Sequence, residues 1–270
     1  MKTRAITGFF FVVVMLASVL TGQYTFSIFF MLLSLFCLAE FYNLVKTNEV
    51  KPQLITGLLT GFVLFLTVIL HFIAGLPFSY LLLAVLPLLL IYITELYRKN
   101  SMPFHNISYT LTGLFFSVIP FCFFYALGFL TGSYSFHAPL SFLLLLWASD
   151  TGAYLFGIKL GKNRLFERHS PKKSWEGFFG GMFTSLLVAF ILSLFYTELP
   201  ALHWAACSVI IVVLGTYGDL TESMLKRSMD KKDSGSILPG HGGLLDRFDG
   251  LFLAAPAVYL YLYFFVYLNA

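Results

Sequence analysis

Apolar runs long enough to cross a bilayer follow one another from the start of this chain almost to its end. No other feature restricts the fold as much. A hydrocarbon core about 30 Å thick takes roughly 17–25 residues of α-helix to cross. Inside it every backbone N–H and C=O must find a partner within the protein. A transmembrane barrel would show alternating segments of about ten residues, and these runs do not alternate. The expected class is all-α: a polytopic integral membrane helix bundle. Nine spans are predicted, at Ala5–Thr21, Tyr24–Val45, Leu54–Ala74, Phe78–Tyr97, Ile107–Thr131, Leu140–Leu160, Gly177–Tyr196, His203–Leu225 and Leu251–Leu268. Composition agrees: 59% of the 270 residues are hydrophobic and 11% charged, against about a quarter charged in a soluble domain.

The basic residues orient these spans. With nine spans and a cytoplasmic N-terminus, all 17 Lys and Arg fall on the inner side. The outer connections, such as "TGQY", "GSYSFHAP" and "TELP", hold none. That is the positive-inside pattern. It also accounts for the net charge of +4 with no nucleic-acid partner. The opening "MKTRAITGFFFVVVMLASVL" has the charge and apolar core of a signal peptide. It lacks a good small-residue cleavage site, so it reads as an uncleaved first span. Cys37, Cys122 and Cys207 lie far apart within spans and read as packing residues. Pro87, Pro120 and Pro256 also fall within spans, where each removes a helix hydrogen bond. The pairs Gly57/Gly61, Gly157/Gly161 and Gly177/Gly181 suit close helix packing.

Polar groups divide the chain into N-terminal membrane helices, 1–138, and a C-terminal region, 139–270, that holds the polar motifs. In the first part Glu40 and Glu95 stand near the inner ends of their spans and read as reaching the interface or pairing with nearby bases. In the second, Asp150 lies in an apolar span and shares a helix face with Ala153, Tyr154, Gly157 and Gly161. An intramembrane acid is costly and commonly lines a site. "RHSPKKSWEGFFGG" sets Lys172 and Lys173 before an interfacial Trp, a pattern that anchoring alone explains. On the eighth span Asp219, Glu222, Ser223, Lys226 and Asp230 form one polar stripe. "KKDSGSILPGHGGLLDRFDG" follows, with Gly242-Gly243 in a turn whose N–H groups suit an anion, though without P-loop order. Asp246 and Asp249 then share a face of the last helix. Carboxylates beside bases and glycine turns suit a nucleotide triphosphate with Mg²⁺, which takes one or two carboxylates plus phosphate oxygens.

The order of these residues carries a resemblance. Ser223-x-Leu225-Lys226-Arg227, Lys232-Asp233-x-Gly235, Leu238-Pro239-x-His241-Gly242-Gly243-Leu244 and Asp246-Arg247-Phe248-Asp249 run without departure over 27 positions. Together they resemble the signature of the phosphatidate cytidylyltransferase (CDP-diacylglycerol synthase) family. "SPKKSWEG", residues 170–177, and Asp150-x-Gly152-Ala153-Tyr154 resemble two further family motifs. The motifs cover the C-terminal half.

The resemblance implies the reaction of CTP with phosphatidate to give CDP-diacylglycerol and pyrophosphate. It also implies Mg²⁺, a second monovalent cation such as K⁺, and a homodimer in contact with membrane lipids. The implied location is a bacterial inner membrane with the site facing the cytoplasm. Asp219 and Asp246 are the leading metal candidates, with Asp249 and Asp150 beside them. Lys226 and Arg247 join Asp219 and Asp246 as catalytic candidates. Ser223, Lys226, Arg227, His241, Gly242, Gly243, Arg247, Lys172 and Lys173 are the substrate-binding candidates. A CTP-dependent polyprenol kinase-like enzyme and an ion-coupled transporter are the alternatives. The glycine-rich signature and the lack of an internal repeat weigh against the transporter.

Overall fold

The computed structural model describes residues 2–237 and 242–267, with side chains from residue 6 onward. The chain forms two compact units. One joins Met1–Tyr134 to the segment Asp233–Arg247; the other joins Ser135–Lys232 to Phe248–Ala270. The signature segment 233–247 therefore groups with the N-terminal helices, although its motif neighbours in sequence belong to the second unit.

The first unit holds α1 (Lys2–Leu20), α2 (Gln23–Val45), α3 (Leu54–Ala74), α4 (Val85–Tyr97), α5 (Pro103–Gly113) and α6 (Ile119–Leu127). A tight three-residue-per-turn run, Phe78–Ala84, leads into α4, and a widened π segment, Leu114–Val118, joins α5 to α6. Both irregular runs lie just before a proline, Pro87 or Pro120, which cannot donate to the preceding turn. The core is aromatic. Phe26 stacks on Tyr125 at 5.4 Å and Phe30 packs on Phe124 at 4.8 Å, while Tyr125 Oη and Ser27 Oγ share a hydrogen bond of 2.9 Å. A second core is polar and fully paired. Glu95 accepts from Gln53 Nε2 and Asn106 Nδ2, each at 2.6 Å, and from Arg98 Nη1 at 2.9 Å. The expected pairing of Glu95 with a base is met.

The second unit holds α7 (His137–Leu160), α8 (Trp175–Phe195), α9 (Ala201–Ser228) and most of α10 (Leu245–Leu262), which a π segment, Tyr263–Tyr267, continues. Between α7 and α8 stands a two-stranded antiparallel hairpin, β1 (Arg164–Phe166) and β2 (Ser170–Ser174). Among the described residues it is the one element outside the all-helical expectation. Helices α7 and α8 meet through small residues. A Cβ at Gly177 would lie 2.9 Å from the Ala153 carbonyl, and one at Gly181 would lie 2.7 Å from that of Ser149. In lipid this close approach supplies dispersion contact that apolar area alone does not. Phe183, Phe190 and Leu194 of α8 face outward, as lipid-facing side chains must.

Among the described residues eight helical stretches are long and apolar enough to cross a membrane, and the protein is a polytopic helical membrane protein. The difference from nine lies at α1, whose described apolar part, Ile6–Leu20, is shorter than the other eight. The fifth span, Pro103–Leu127, begins and ends about four residues before its predicted bounds because Pro103 starts the helix. The three cysteines are buried, as packing residues are.

Candidate active site

The second unit encloses a cavity of about 340 Å³. Helix α7 contributes Ser149, Asp150, Ala153, Tyr154 and Gly157 to its wall. Asp150, Ala153, Tyr154 and Gly157 are four of the five residues of the face the helical spacing predicts, because residues three and four apart stack above one another; the fifth, Gly161, is not on the wall, and Ser149 was not expected there. Strand β2 contributes Lys172, Lys173 and Ser174; α9 contributes Gly215, Thr216 and Asp219; α10 contributes Asp249 and Gly250. Asp150, Asp219 and Asp249 thus meet Lys172 and Lys173 around one space.

Local structure explains how each group is held. Ser174 caps α8 by accepting from Gly177 N at 3.1 Å, which ends β2 and starts the helix in a single residue. Glu176, in the first turn of α8, accepts from Lys162 N at 3.1 Å, Asn163 N at 3.2 Å and Asn163 Nδ2 at 2.7 Å. Trp175 N donates to Asn163 O at 2.9 Å. The base of the hairpin is therefore fastened to α8, and the hairpin presents Lys173 to Asp219, with which it forms an ion pair. Asp219 also accepts from Ser223 Oγ at 3.2 Å. Asp249 accepts from Gly250 N at 2.7 Å.

The rest of the α9 stripe splits. Lys226 Nζ lies 2.9 Å from Glu222 Oε2, and Glu222 is fully buried. The partner of Lys226 here is thus an acid one turn away, where a phosphate contact is expected. Arg227 Nη1 donates to Lys231 O at 3.2 Å. Asp230 is not on the helix. α9 ends at Ser228, Lys231 N donates to Lys226 O at 2.9 Å, and Asp230 takes the left-handed conformation at φ 52°. That is a Schellman-type ending, and it takes Asp230 off the predicted stripe.

In the first unit, the Gly242-Gly243 turn already holds an anion. Asp246 Oδ2 accepts from Gly243 N at 2.8 Å and from Ser234 N at 3.0 Å. Gly242 sits at φ 80°, where an L side chain is strained. Arg247 is exposed. His241, with Leu238 and Pro239, lies outside the described residues. Glu40 departs from its expected place at the interface: it is buried and accepts from Leu244 N at 2.9 Å and Leu245 N at 3.0 Å. A carboxylate serves there because the first N–H groups of α10 have no acceptor within the helix. Sequence reasoning missed Glu40 and Glu176. Both bind chiefly backbone N–H groups, which leave no side-chain pattern to read.

No group of three or more His, Cys, Asp or Glu among the described residues forms a ready-made metal centre. The donors are nonetheless the right kind. Carboxylate oxygens suit Mg²⁺, which completes its shell with water and phosphate, and three acids on one small cavity repel one another until a cation offsets them.

Fold and cavity together define a membrane-embedded helical enzyme with an acidic, lysine-lined site. The chain belongs to the cytidylyltransferase family, whose pattern matches residues 2–265. It is similar to the phosphatidate cytidylyltransferase of Staphylococcus haemolyticus, with 36% identity over 262 residues covering 95% of this chain and 96% of that protein. The phosphatidate cytidylyltransferase of Bacillus subtilis is 33% identical over 272 residues, covering 98% of each. The expected family is borne out along nearly the whole chain, including the N-terminal helices that carry no motif.

Proposed function

We propose that this chain transfers the cytidylyl group of CTP to phosphatidate, releasing pyrophosphate and leaving CDP-diacylglycerol in the membrane. The observation that carries the reading is the cavity where Asp150, Asp219 and Asp249 meet Lys172 and Lys173 at membrane helices. Full-length similarity to the named relatives supports the same substrates. A phosphatidate oxygen attacks the α-phosphorus of CTP, the bond to the bridging oxygen of the β-phosphate breaks, and pyrophosphate leaves with that electron pair. The second pKa of a phosphomonoester is about 6, so the nucleophile is ionised near neutral pH without a dedicated base.

The protein must bring two anions together and hold them in line. Lys172 and Lys173 face the cavity and offset phosphate charge. Asp219, Asp249 and Asp150 would hold Mg²⁺ in the second unit, and Asp246, in the signature turn of the first unit, is a separate metal candidate. Bound there, Mg²⁺ offsets charge on the phosphates and on the departing pyrophosphate. Ser223 keeps Asp219 oriented. Arg227 and Arg247 are exposed basic groups suited to phosphate, while Lys226 balances buried Glu222. The inner-side bias of Lys and Arg supports a site open to cytosolic CTP. The family resemblance supports a homodimer and a second, monovalent cation.

Purified protein given Mg²⁺, phosphatidate and CTP labelled at the α- or the γ-phosphate tests the reaction. Label from the α-phosphate alone should enter lipid. Transfer from the γ-phosphate would make the protein a kinase, and no transfer to lipid would overturn the reading. Orientation has its own test. A cysteine placed at Ser133 should react with an impermeant reagent from outside and one at exposed Ser236 should not; the reverse pattern overturns it.

A further inference from the structure

Glu40 stands near the end of α2 with 4% of its surface exposed, among the buried side chains of Cys37, Leu38, Phe41, Tyr42 and Leu44. An ionised carboxylate in such a place is unfavourable unless its oxygens are hydrogen-bonded. Three donors meet it: Leu244 N at 2.9 Å, Leu245 N at 3.0 Å and Ser234 Oγ at 2.5 Å. All three come from the signature segment. The two N–H groups belong to the start of α10, where an anion is favoured by exposed donors and the helix dipole together. The usual acceptor at such a position is a side chain one to three residues away. Here it comes from another helix about two hundred positions earlier.

The same segment is tied to Asp246. Ser234 reaches Glu40 through its hydroxyl and Asp246 through its N–H, and Gly243 N–H closes the turn on Asp246. Two glycines of the signature follow from the position of Glu40. A Cβ at Gly235 would lie 2.8 Å from Glu40 Oε2, and a Cβ at Gly243 would collide with Glu40 Oε1 and Ser234 Oγ.

We propose that Glu40 is a positioning residue of the transfer reaction: its buried carboxylate fixes Ser234 and the backbone at Leu244 and Leu245, and thereby aims Asp246. This rests on the reading above that Asp246 acts in the transfer reaction. Glu40 touches backbone and Ser234, and it works through Asp246.

The test compares purified Glu40→Gln, Glu40→Asp and Asp246→Asn with the wild-type protein. Glu40→Gln keeps size but turns one acceptor oxygen into a donor that faces another donor, so at least one of the three bonds fails. Its turnover of CTP and phosphatidate is expected to fall about tenfold or more, which is roughly 1.4 kcal/mol. The Mg²⁺ concentration giving half-maximal rate should rise about threefold or more, while the KM for phosphatidate changes less than twofold. Amide hydrogen exchange in residues 242–247 should accelerate and that in α3 should not. Glu40→Asp, which keeps two acceptor oxygens, should recover part of the rate. Folded Glu40→Gln with wild-type turnover and Mg²⁺ dependence overturns the proposal, whatever its exchange.

Where Glu40→Gln does not fold, Gly235→Ala decides, because its added methyl presses on Glu40 without changing its charge. It should show the same shift in Mg²⁺ dependence, and an unshifted dependence overturns the proposal. Failure of the proposed function is distinguishable. A wild-type protein that makes no CDP-lipid sinks that reading, and unchanged exchange in Glu40→Gln separately overturns the hold on the turn. Full turnover by Asp246→Asn beside a loss in Glu40→Gln would show that Glu40 does not act through Asp246, and that too overturns the proposal.

Discussion

Asp219 and Asp246 stand alike in sequence as acids beside a membrane helix, yet the structure partners them differently. Asp219 lines a cavity and pairs with the ammonium of Lys173 on a hairpin. Asp246 gives one oxygen to two backbone N–H groups, Gly243 of its own turn and Ser234 twelve residues earlier. An ammonium on a flexible side chain is an exchangeable counter-charge, with about a third of the Asp219 side chain and a quarter of that of Lys173 still exposed. A backbone N–H is part of the fold and stays. The comparison separates an acid whose charge is held for use from one whose charge also shapes the chain around it.

The sharpest way to break that comparison is to neutralise each acid in turn. Asp219→Asn and Asp246→Asn should each lower turnover about a hundredfold or more, the loss expected when a metal-holding charge is removed. Near-normal turnover per folded molecule, with an unchanged Mg²⁺ requirement, would remove that acid from metal binding. Stability should tell the two apart. Asp246→Ala leaves two N–H groups without their acceptor, and each such group costs about 1–3 kcal/mol if left unsatisfied. Asp219→Ala should cost less than about 1 kcal/mol, the range of a partly exposed ion pair. Thermal unfolding of the two alanine variants measures this, and equal losses would erase the distinction.

A smaller effect falls on the bases. Changing Lys172 and Lys173 together to Gln should lower turnover about tenfold with insertion unaffected. Retention within about twofold, or roughly 0.4 kcal/mol, would return both residues to membrane anchoring. The smallest effect is expected at Glu176→Gln, which weakens the exposed fastening of the hairpin without touching the cavity. A drop of about threefold in turnover, with faster amide exchange in residues 162–174, is the expected result. Unchanged exchange would show that the hairpin holds Lys173 without it.

What could be read from sequence followed from periodicity. Apolar length located the spans, and the three- and four-residue spacing from Asp150 to Gly157 placed Ala153, Tyr154 and Gly157 on the cavity wall with it. The stripe on α9 held as far as the helix did. Asp219 with Ser223 and Glu222 with Lys226 are one-turn pairs, but Asp230 lies past an ending that no hydrophobic pattern marks. Glu40 was unreadable for another reason. Its partners are the main-chain N–H groups of residues 244 and 245 and the distant Ser234 hydroxyl, and a lone acid at the end of an apolar run looks the same whether it reaches water or a buried turn. Gly243 was read as admitting a phosphate, and what it admits in this structure is the approach of Glu40 and the hydrogen bond to Asp246.

The bonds from α2 to the signature turn bear on how far this protein can be trimmed. Every recognisable motif lies after residue 145, which invites a shortened version that begins at α7. Such a fragment would keep Leu244 and Leu245 but lose the carboxylate that receives their N–H groups. Bare amide donors in apolar surroundings cost several kcal/mol each, enough to refold the turn rather than leave it waiting. The N-terminal helices, silent in every motif, are for that reason indivisible from the half that speaks, and enzymes of this build should shorten only at their edges.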